Sequence, residues 1–168
     1  MKNIYFTLTI IMLSITAHAQ LTVKNLVNFV DCNNYSCIAA FAHSNGYQFA
    51  DSTFDDEYKL SRYYFTNTAT TVANTPQNTL MLMHDGIANV TSVNFETLTE
   101  DYYRQLVNDI TANGFVVDQI LVAGSTIYNI PGTKLFVFVE TDTYEDGLHY
   151  AFTLNYRPGE LDGPSVKN

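Results

Sequence analysis

The chain has 168 residues and a formal net charge of −9, because 17 aspartates and glutamates outweigh 8 lysines and arginines. Nucleic acids and anionic membrane surfaces attract clustered positive charge, so this composition argues against both as partners. Apolar residues make up 46% of the chain, which favours a globular protein over a disordered one.

The first residues have the order of a secretory signal peptide. Lys2 precedes a short apolar run, and the sequence AHA before Gln20 forms an A-x-A cleavage site. The run is shorter than the roughly 20 apolar residues that a transmembrane helix needs. We therefore predict a signal peptide over residues 1–19 and a secreted or periplasmic mature protein without a membrane span.

The only two cysteines, Cys32 and Cys37, lie on either side of Asn33-Asn34. Residues five apart on an uninterrupted α-helix point about 140° away from each other, and their Cα atoms are too distant for a disulfide. A bridge therefore requires a break, which asparagine tolerates well. Because apolar residues at helical spacing lie on both sides, we predict a helical hairpin with a disulfide at its corner. A redox pair or a metal site is the alternative.

Asn-Gly followed by an aromatic residue occurs twice, each time after an apolar helical stripe: SNGYQF at residues 44–49 and ANGFVV at residues 112–117. This pattern is typical of a helix C-terminus in which glycine adopts the left-handed conformation. The second helix is expected to begin near Thr97 or Thr99. Its predicted buried stripe comprises Tyr103, Leu106, Val107 and Ile110.

Strand patterns follow each of these predicted helix ends. The predicted strands are residues 58–67, 79–83, 87–95, 115–122, 125–130, 134–141 and 148–157. Asp-Gly pairs at 85–86 and 146–147 are hairpin signals. Residues 66–78 are predicted to form a polar loop.

A helix followed by antiparallel strands therefore occurs twice. We predict an α+β protein in which tandem helix-plus-antiparallel-strand repeats form one antiparallel sheet, with helices packed on one face and the other face partly open to water. The single domain is expected over residues 20–157, with repeats of about 20–96 and 97–157. Residues 158–168 are expected to be a flexible tail.

This predicted architecture resembles that of small secreted inhibitor proteins such as the β-lactamase inhibitor proteins, whose duplicated units form a concave sheet that grips an enzyme. The resemblance is one of architecture and rests on no shared motif. It implies that the chain acts by binding.

The sequence contains no motif for a catalytic serine, a phosphate-binding loop or a zinc protease, and the histidines of the mature chain are widely dispersed. TDTYEDG at residues 141–147 has acidic residues and a glycine at some positions of a calcium loop, but Tyr144 stands at a ligand position, so a hairpin tip fits better. We expect no cofactor and no metal.

DSTFDDEYK, from Asp51 to Lys59, concentrates four carboxylates beside aromatic residues. Two of them could act as acid and base on a sugar, as paired carboxylates do in glycoside hydrolysis. A small extracytoplasmic hydrolase using carboxylates of residues 51–57 is therefore an alternative reading of the chain.

The chain has 12 tyrosines and 11 phenylalanines but no tryptophan. Aromatic residues in strands commonly fill cores. In the functional alternative, tyrosines on the open sheet face bind a protein or glycan, because their rings give contact area at low entropy cost. The candidate binding residues are Tyr63, Tyr64, Tyr150 and Tyr156. We predict a monomeric, non-catalytic binding protein, with the hydrolase or a structural envelope protein as alternatives.

Overall fold

A computed structural model gives the structure of the chain. It describes residues 21–32, 34–67, 71–72, 75–76, 78–86, 90–121, 124–145 and 147–156. The predicted signal peptide and the predicted tail lie outside these ranges. Among the described residues, no helix is both long enough and apolar enough to cross a bilayer.

Two short helices form the predicted hairpin: α1 (Val23–Val30) and α2 (Tyr35–Ser44). Asn34 is the N-cap of α2, and its Oδ1 accepts a hydrogen bond from the N–H of Cys37 at 3.0 Å. Because the helix is interrupted before this cap, the Sγ atoms of Cys32 and Cys37 lie 1.99 Å apart, which is bonding distance. The third helix, α3 (Glu100–Ala112), begins after N-cap Thr99.

Both predicted helix ends are confirmed. Gly46 and Gly114 follow the C-caps of α2 and α3 and lie in the left-handed region, at φ 81° and 87°. The next residues, Tyr47 and Phe115, are buried, and their N–H groups donate back to the last helical turn at 3.0 Å and 3.3 Å. Each helix therefore ends in the same double hydrogen-bonded motif, which glycine makes possible.

Eight strands form one antiparallel sheet in the order β1-β2-β5-β6-β10-β9-β8-β7. These strands are β1 (Gln48–Asp55), β2 (Leu60–Thr66), β5 (Asn78–Asp85), β6 (Val90–Thr97), β7 (Val116–Ile120), β8 (Thr126–Asn129), β9 (Leu135–Tyr144) and β10 (Gly147–Tyr156). Two further short strands, β3 (Thr71–Val72) and β4 (Thr75–Pro76), pair with each other inside the segment predicted to be a polar loop.

The sheet is built from two similar halves, as predicted. In the first half α2 precedes β1, β2, β5 and β6, and in the second half α3 precedes β7 to β10. The halves join where β6 pairs with β10. The α+β class, the tandem repeat and the single antiparallel sheet with helices on one face are therefore confirmed.

The core lies between the sheet and the helices. Its fully buried members include Leu26 and Phe29 of α1, Leu106 and Ile110 of α3, and Phe152 of β10. Burial of such large apolar side chains is the main source of stability in a domain of this size.

Three features differ from the predictions. The polar, exposed segment 48–55 forms β1, whereas the sequence pattern gave no strand there. The buried stripe of α3 contains Tyr102, Leu106 and Ile110, while Tyr103 and Val107 are half-buried beside it. The boundaries of the predicted strands shift by one to three residues, and some strands are longer and others shorter than the apolar runs predict.

Candidate functional site

The sheet has two faces of different character. Successive strand residues point to opposite faces. In β2, Phe65 is buried against the helices, whereas its neighbour Tyr64 is half-buried on the opposite side, which we call the outer face. Because directly paired residues share a face, the pairing register extends this assignment from β2 across the sheet.

A row of six side chains crosses the centre of the outer face. Read through consecutive Cα partners, it consists of Tyr64, Met81, Asn94, Thr153, Phe138 and Ile127. All six are half-buried. In the middle of the row, Nδ2 of Asn94 donates to Oγ1 of Thr153 at 3.0 Å, so these two polar groups satisfy each other.

Apolar side chains therefore lie on both sides of a polar centre. Met83 and Phe136 lie beside the row on the same face, because each is two residues along its strand from a member of the row. The first patch comprises Tyr64, Met81 and Met83, all in the first half. The second patch comprises Ile127, Phe136 and Phe138, all in the second half. Each half thus contributes one apolar patch to the outer face.

Ionisable groups lie beside the row, around the small residue Ala151. Glu96 and Glu140 are the Cα partners of Ala151 from its two sides. His149 contacts Oε1 of Glu96 through Nδ1, and Asp142 is the Cα partner of His149. Burial and, second, the neighbouring Asp142 raise the pKa of the Glu140 carboxyl above its ordinary value.

The pairing register thus brings three carboxylates and one imidazole together on the outer face. Among the described residues, no three His, Cys, Asp or Glu side chains are placed to hold a metal ion. A cavity of about 350 Å³ lies elsewhere, between Leu21-Thr22 and α3. Its other lining residues belong to α3, so it contains none of the groups around Ala151.

The carboxylates of residues 51–57 stabilise the local backbone. Oδ1 of Asp55 accepts hydrogen bonds from the N–H groups of Glu57 and Tyr58, both at 3.1 Å, in the turn between β1 and β2. Asp56 forms an ion pair with Lys59 in the same turn. These contacts give Asp55 and Asp56 a structural role in a turn at the edge of the sheet.

The four candidate tyrosines do not share a face. Tyr64 lies on the outer face, as expected, whereas Tyr63 packs on the core side. Tyr150 is only 7% exposed, and its ring stacks on Tyr103 of α3 at 4.5 Å. The expected position of Tyr63 and Tyr150 on the open face needs correction, because neighbours in a strand alternate and the apolar side of β10 faces the helices. The side chain of Tyr156 lies outside the described residues.

The apolar residues of the outer face were missed as a group. Their signal is present in LMLM (residues 80–83) and LFVFV (residues 135–139), where both alternating sets are apolar. A strand that is half solvated normally alternates between apolar and polar residues. Such runs therefore predict that both faces of β5 and β9 are covered or bind something.

Comparison of the chain with family models, with curated proteins and with solved structures found no match. The expected resemblance to the β-lactamase inhibitor proteins therefore has no support from these comparisons. Function has to be argued from the outer face itself.

Proposed function

We propose that the protein is a non-catalytic binding protein that holds a partner protein or glycan on the outer face of its sheet. One observation carries this proposal: two apolar patches occupy the centre of a sheet face that none of the described helices covers. Apolar area left in water costs free energy, and contiguous apolar patches commonly mark interaction sites.

The backbone under the patches favours binding without large rearrangement. The patches lie on four strands of one continuous antiparallel sheet, β2, β5, β8 and β9, so their spacing is set by backbone hydrogen bonds. The Asn94–Thr153 pair between them already shares a hydrogen bond. A partner would therefore gain mainly from covering the apolar side chains, at little cost in ordering the protein.

We also propose that binding takes place outside the cytosol, in a secreted or periplasmic protein that acts as a monomer. The order of residues 1–19 and the sulfur atoms of Cys32 and Cys37 at bonding distance support the location outside the cytosol. Disulfides persist in oxidising compartments and are rare in the cytosol.

The hydrolase has less support. Asp55 and Asp56 are engaged in the turn after β1, and Asp51 accepts a hydrogen bond from the N–H of its neighbour Ser52 at 2.7 Å. A carboxylate pair for hydrolysis would have to face a common substrate position. These local contacts give no such arrangement.

Affinity capture from the extracytoplasmic fraction of the source cells tests the proposal. The bait is the mature protein, compared with Phe138→Thr and Met81→Thr, which remove one member of each patch while keeping residues that suit strands. A single stoichiometric partner should bind the unchanged bait and lose about tenfold or more in affinity towards either variant when purified and titrated.

A matched control is Ser52→Thr, which changes a polar residue of the edge strand β1 and should leave binding unchanged. Circular dichroism would establish that all baits are folded. A partner that binds both patch variants as tightly as the unchanged protein would refute the proposed face. Reproducible turnover of a glycan or ester panel would replace it with the hydrolase.

A further inference from the structure

Charge on the strands is strongly one-sided. The ten strands contain seven carboxylates, whereas Arg62 is their only lysine or arginine. By pairing register, six of the seven carboxylates share the outer face with the two patches. These six are Asp51, Asp55, Asp85, Glu96, Glu140 and Asp142.

The carboxylates lie around the patches and not within them. Glu96 and Glu140 are two residues along their strands from the central row, which corresponds to roughly 7 Å. Asp85 lies beyond Met83, on the other side of the row. Asp51 ends the row at the edge strand β1, opposite Tyr64. Arg62, the Cα partner of Met83, lies on the same face. The outer face therefore has an apolar centre and a border that contains six carboxylates and one guanidinium.

This border restricts the chemistry of a partner. A neutral or acidic surface laid on the outer face would desolvate or repel these carboxylates, which outnumber the one guanidinium on that face by six to one. Lysine and arginine side chains at the edge of the contact would pair with them instead. Partial burial and, second, the like-charged neighbour Asp142 raise the pKa of Glu140, so further desolvation by a partner without a positive charge would be unfavourable.

We propose that the partner is a protein whose contact surface carries apolar side chains flanked by lysines or arginines, and that it covers both patches. This inference rests on the proposed function and specifies the partner of the same face. A protein fits better than a glycan, because methionine and isoleucine form half of the two patches and Tyr64 is the only one of their three aromatic residues with a hydrogen-bonding group. Apolar side chains of a partner pack against such residues, whereas sugars prefer flat aromatic rings and hydrogen-bonding groups.

A phage-displayed library of random dodecapeptides, selected on the immobilised mature protein, tests this chemistry directly. The enriched peptides should combine aromatic or aliphatic residues with flanking lysines or arginines. A synthetic peptide of the enriched sequence should bind about tenfold more weakly when NaCl rises from about 0.05 M to 0.5 M. The variant Glu96→Gln/Glu140→Gln should bind it about five- to tenfold more weakly than the unchanged protein.

Glu100→Gln/Asp101→Asn is the matched control, because it removes two exposed carboxylates from α3 on the helix side. It should bind the peptide within about twofold of the unchanged protein. Folding of each variant would be verified by thermal unfolding, and the single substitution Glu140→Gln serves if the double variant does not fold.

The outcomes separate this inference from the proposed function. Peptides that require Phe138 but are acidic or neutral, or that bind the Glu96→Gln/Glu140→Gln variant unchanged, would overturn only the basic partner. Peptides that bind Phe138→Thr and Met81→Thr as well as the unchanged protein, or a peptide library and a glycan array that both give no ligand, would count against both. Phe138-dependent binding on a glycan array, without a peptide ligand, would replace the protein partner by a glycan.

Discussion

The two halves of the chain end their helices in the same way. In α2, Nδ2 of the C-cap Asn45 donates to the carbonyl oxygen of Phe41 at 2.8 Å. In α3, Nδ2 of the C-cap Asn113 donates to the carbonyl oxygen of Asp109, also at 2.8 Å. A left-handed glycine and a buried aromatic residue follow in both cases. The repeat therefore extends from the order of elements to individual hydrogen bonds.

Besides the short strands β3 and β4, the described elements of the two halves differ in one helix, α1, which only the first half contains. It packs on β6 and β10, the last strands of both halves. The N–H of Val23, at its start, donates to Oδ2 of Asp109 at 2.6 Å, and Oη of Tyr102 donates to the carbonyl oxygen of Leu21 at 3.3 Å. A helix that belongs to one half in sequence thus stabilises the junction of both. We infer that the halves unfold as one unit.

The largest expected effect comes from shortening a side chain of α1. Phe29 is fully buried, and its ring packs edge-to-face on that of Phe41 with 4.6 Å between the ring centroids. Phe29→Ala should lower the free energy of unfolding by about 3–5 kcal/mol, because it leaves a cavity at the junction. Urea denaturation followed by circular dichroism should still give a single transition. Asn28→Ala, at the exposed neighbouring position, should change stability by less than about 0.5 kcal/mol. A separate early transition of the first half would contradict the shared role of α1.

The next largest effect is expected at alkaline pH. The contact between the halves contains two buried phenols, those of Tyr47 and Tyr102. Burial raises the pKa of both Tyr47 and Tyr102 well above 10, the ordinary value. Unfolded tyrosines lose their protons near pH 10 while these two keep them, so stability is complete below pH 10 and falls as pH rises further.

The variant Tyr47→Phe/Tyr102→Phe isolates this effect. Between about pH 8 and pH 11 the unchanged protein should lose about 2–3 kcal/mol more than the variant, as measured by urea denaturation at each pH. At pH 8 the variant should be less stable by about 1 kcal/mol, because the hydrogen bond to Leu21 is lost. Equal alkaline losses in both proteins would refute the assignment to these tyrosines.

A smaller effect is expected at the cysteine pair, which has no counterpart in the second half. A bridge between Cys32 and Cys37 closes a very short loop, so dithiothreitol should lower the free energy of unfolding by about 2 kcal/mol or less. Cys37→Ser should match the reduced protein and show no response to dithiothreitol. A loss of unfolding free energy well above this range would mean that the pair stabilises more of the molecule than the corner between α1 and α2.

The smallest effect should be nearly the same in both halves. Gly46→Ala and Gly114→Ala place a side chain in the left-handed region, and each should cost about 1 kcal/mol in thermal unfolding. Gly46→Asn and Gly114→Asn should cost less, because asparagine tolerates this conformation better. Costs for the two alanine variants that differ by more than about 1 kcal/mol would mean that the two caps are not equivalent.

Much of the fold follows from local signals in the sequence. The Asn-Gly-aromatic pattern marks both helix ends, since only a few residues adopt the required conformation. Alternation in residues 148–157 identifies β10 and its buried side. These features are decided within a few residues of chain, which is why one sequence is enough to predict them.

Other features depend on contacts between distant residues. Strand β1 is polar and exposed at the edge of the sheet, so its pairing with β2, and not an apolar pattern, makes it a strand. The outer-face patches appear only when β5 and β9 are placed in register with their neighbours. Tyr63 and Tyr64 show the same limit, because composition alone does not tell which face a ring occupies.

The register across the junction has a further consequence for recognition. Met81 and Phe138 belong to strands separated by three strand spacings, so their Cα atoms lie about 14 Å apart. Backbone ladders hold this separation, and only Leu98 and Thr99 connect the last strand of the first half to α3. A ligand that engages both halves therefore needs two apolar groups at about that spacing. A substitution within one half changes the patch that receives one of these groups, while the distance between the two patches stays the same.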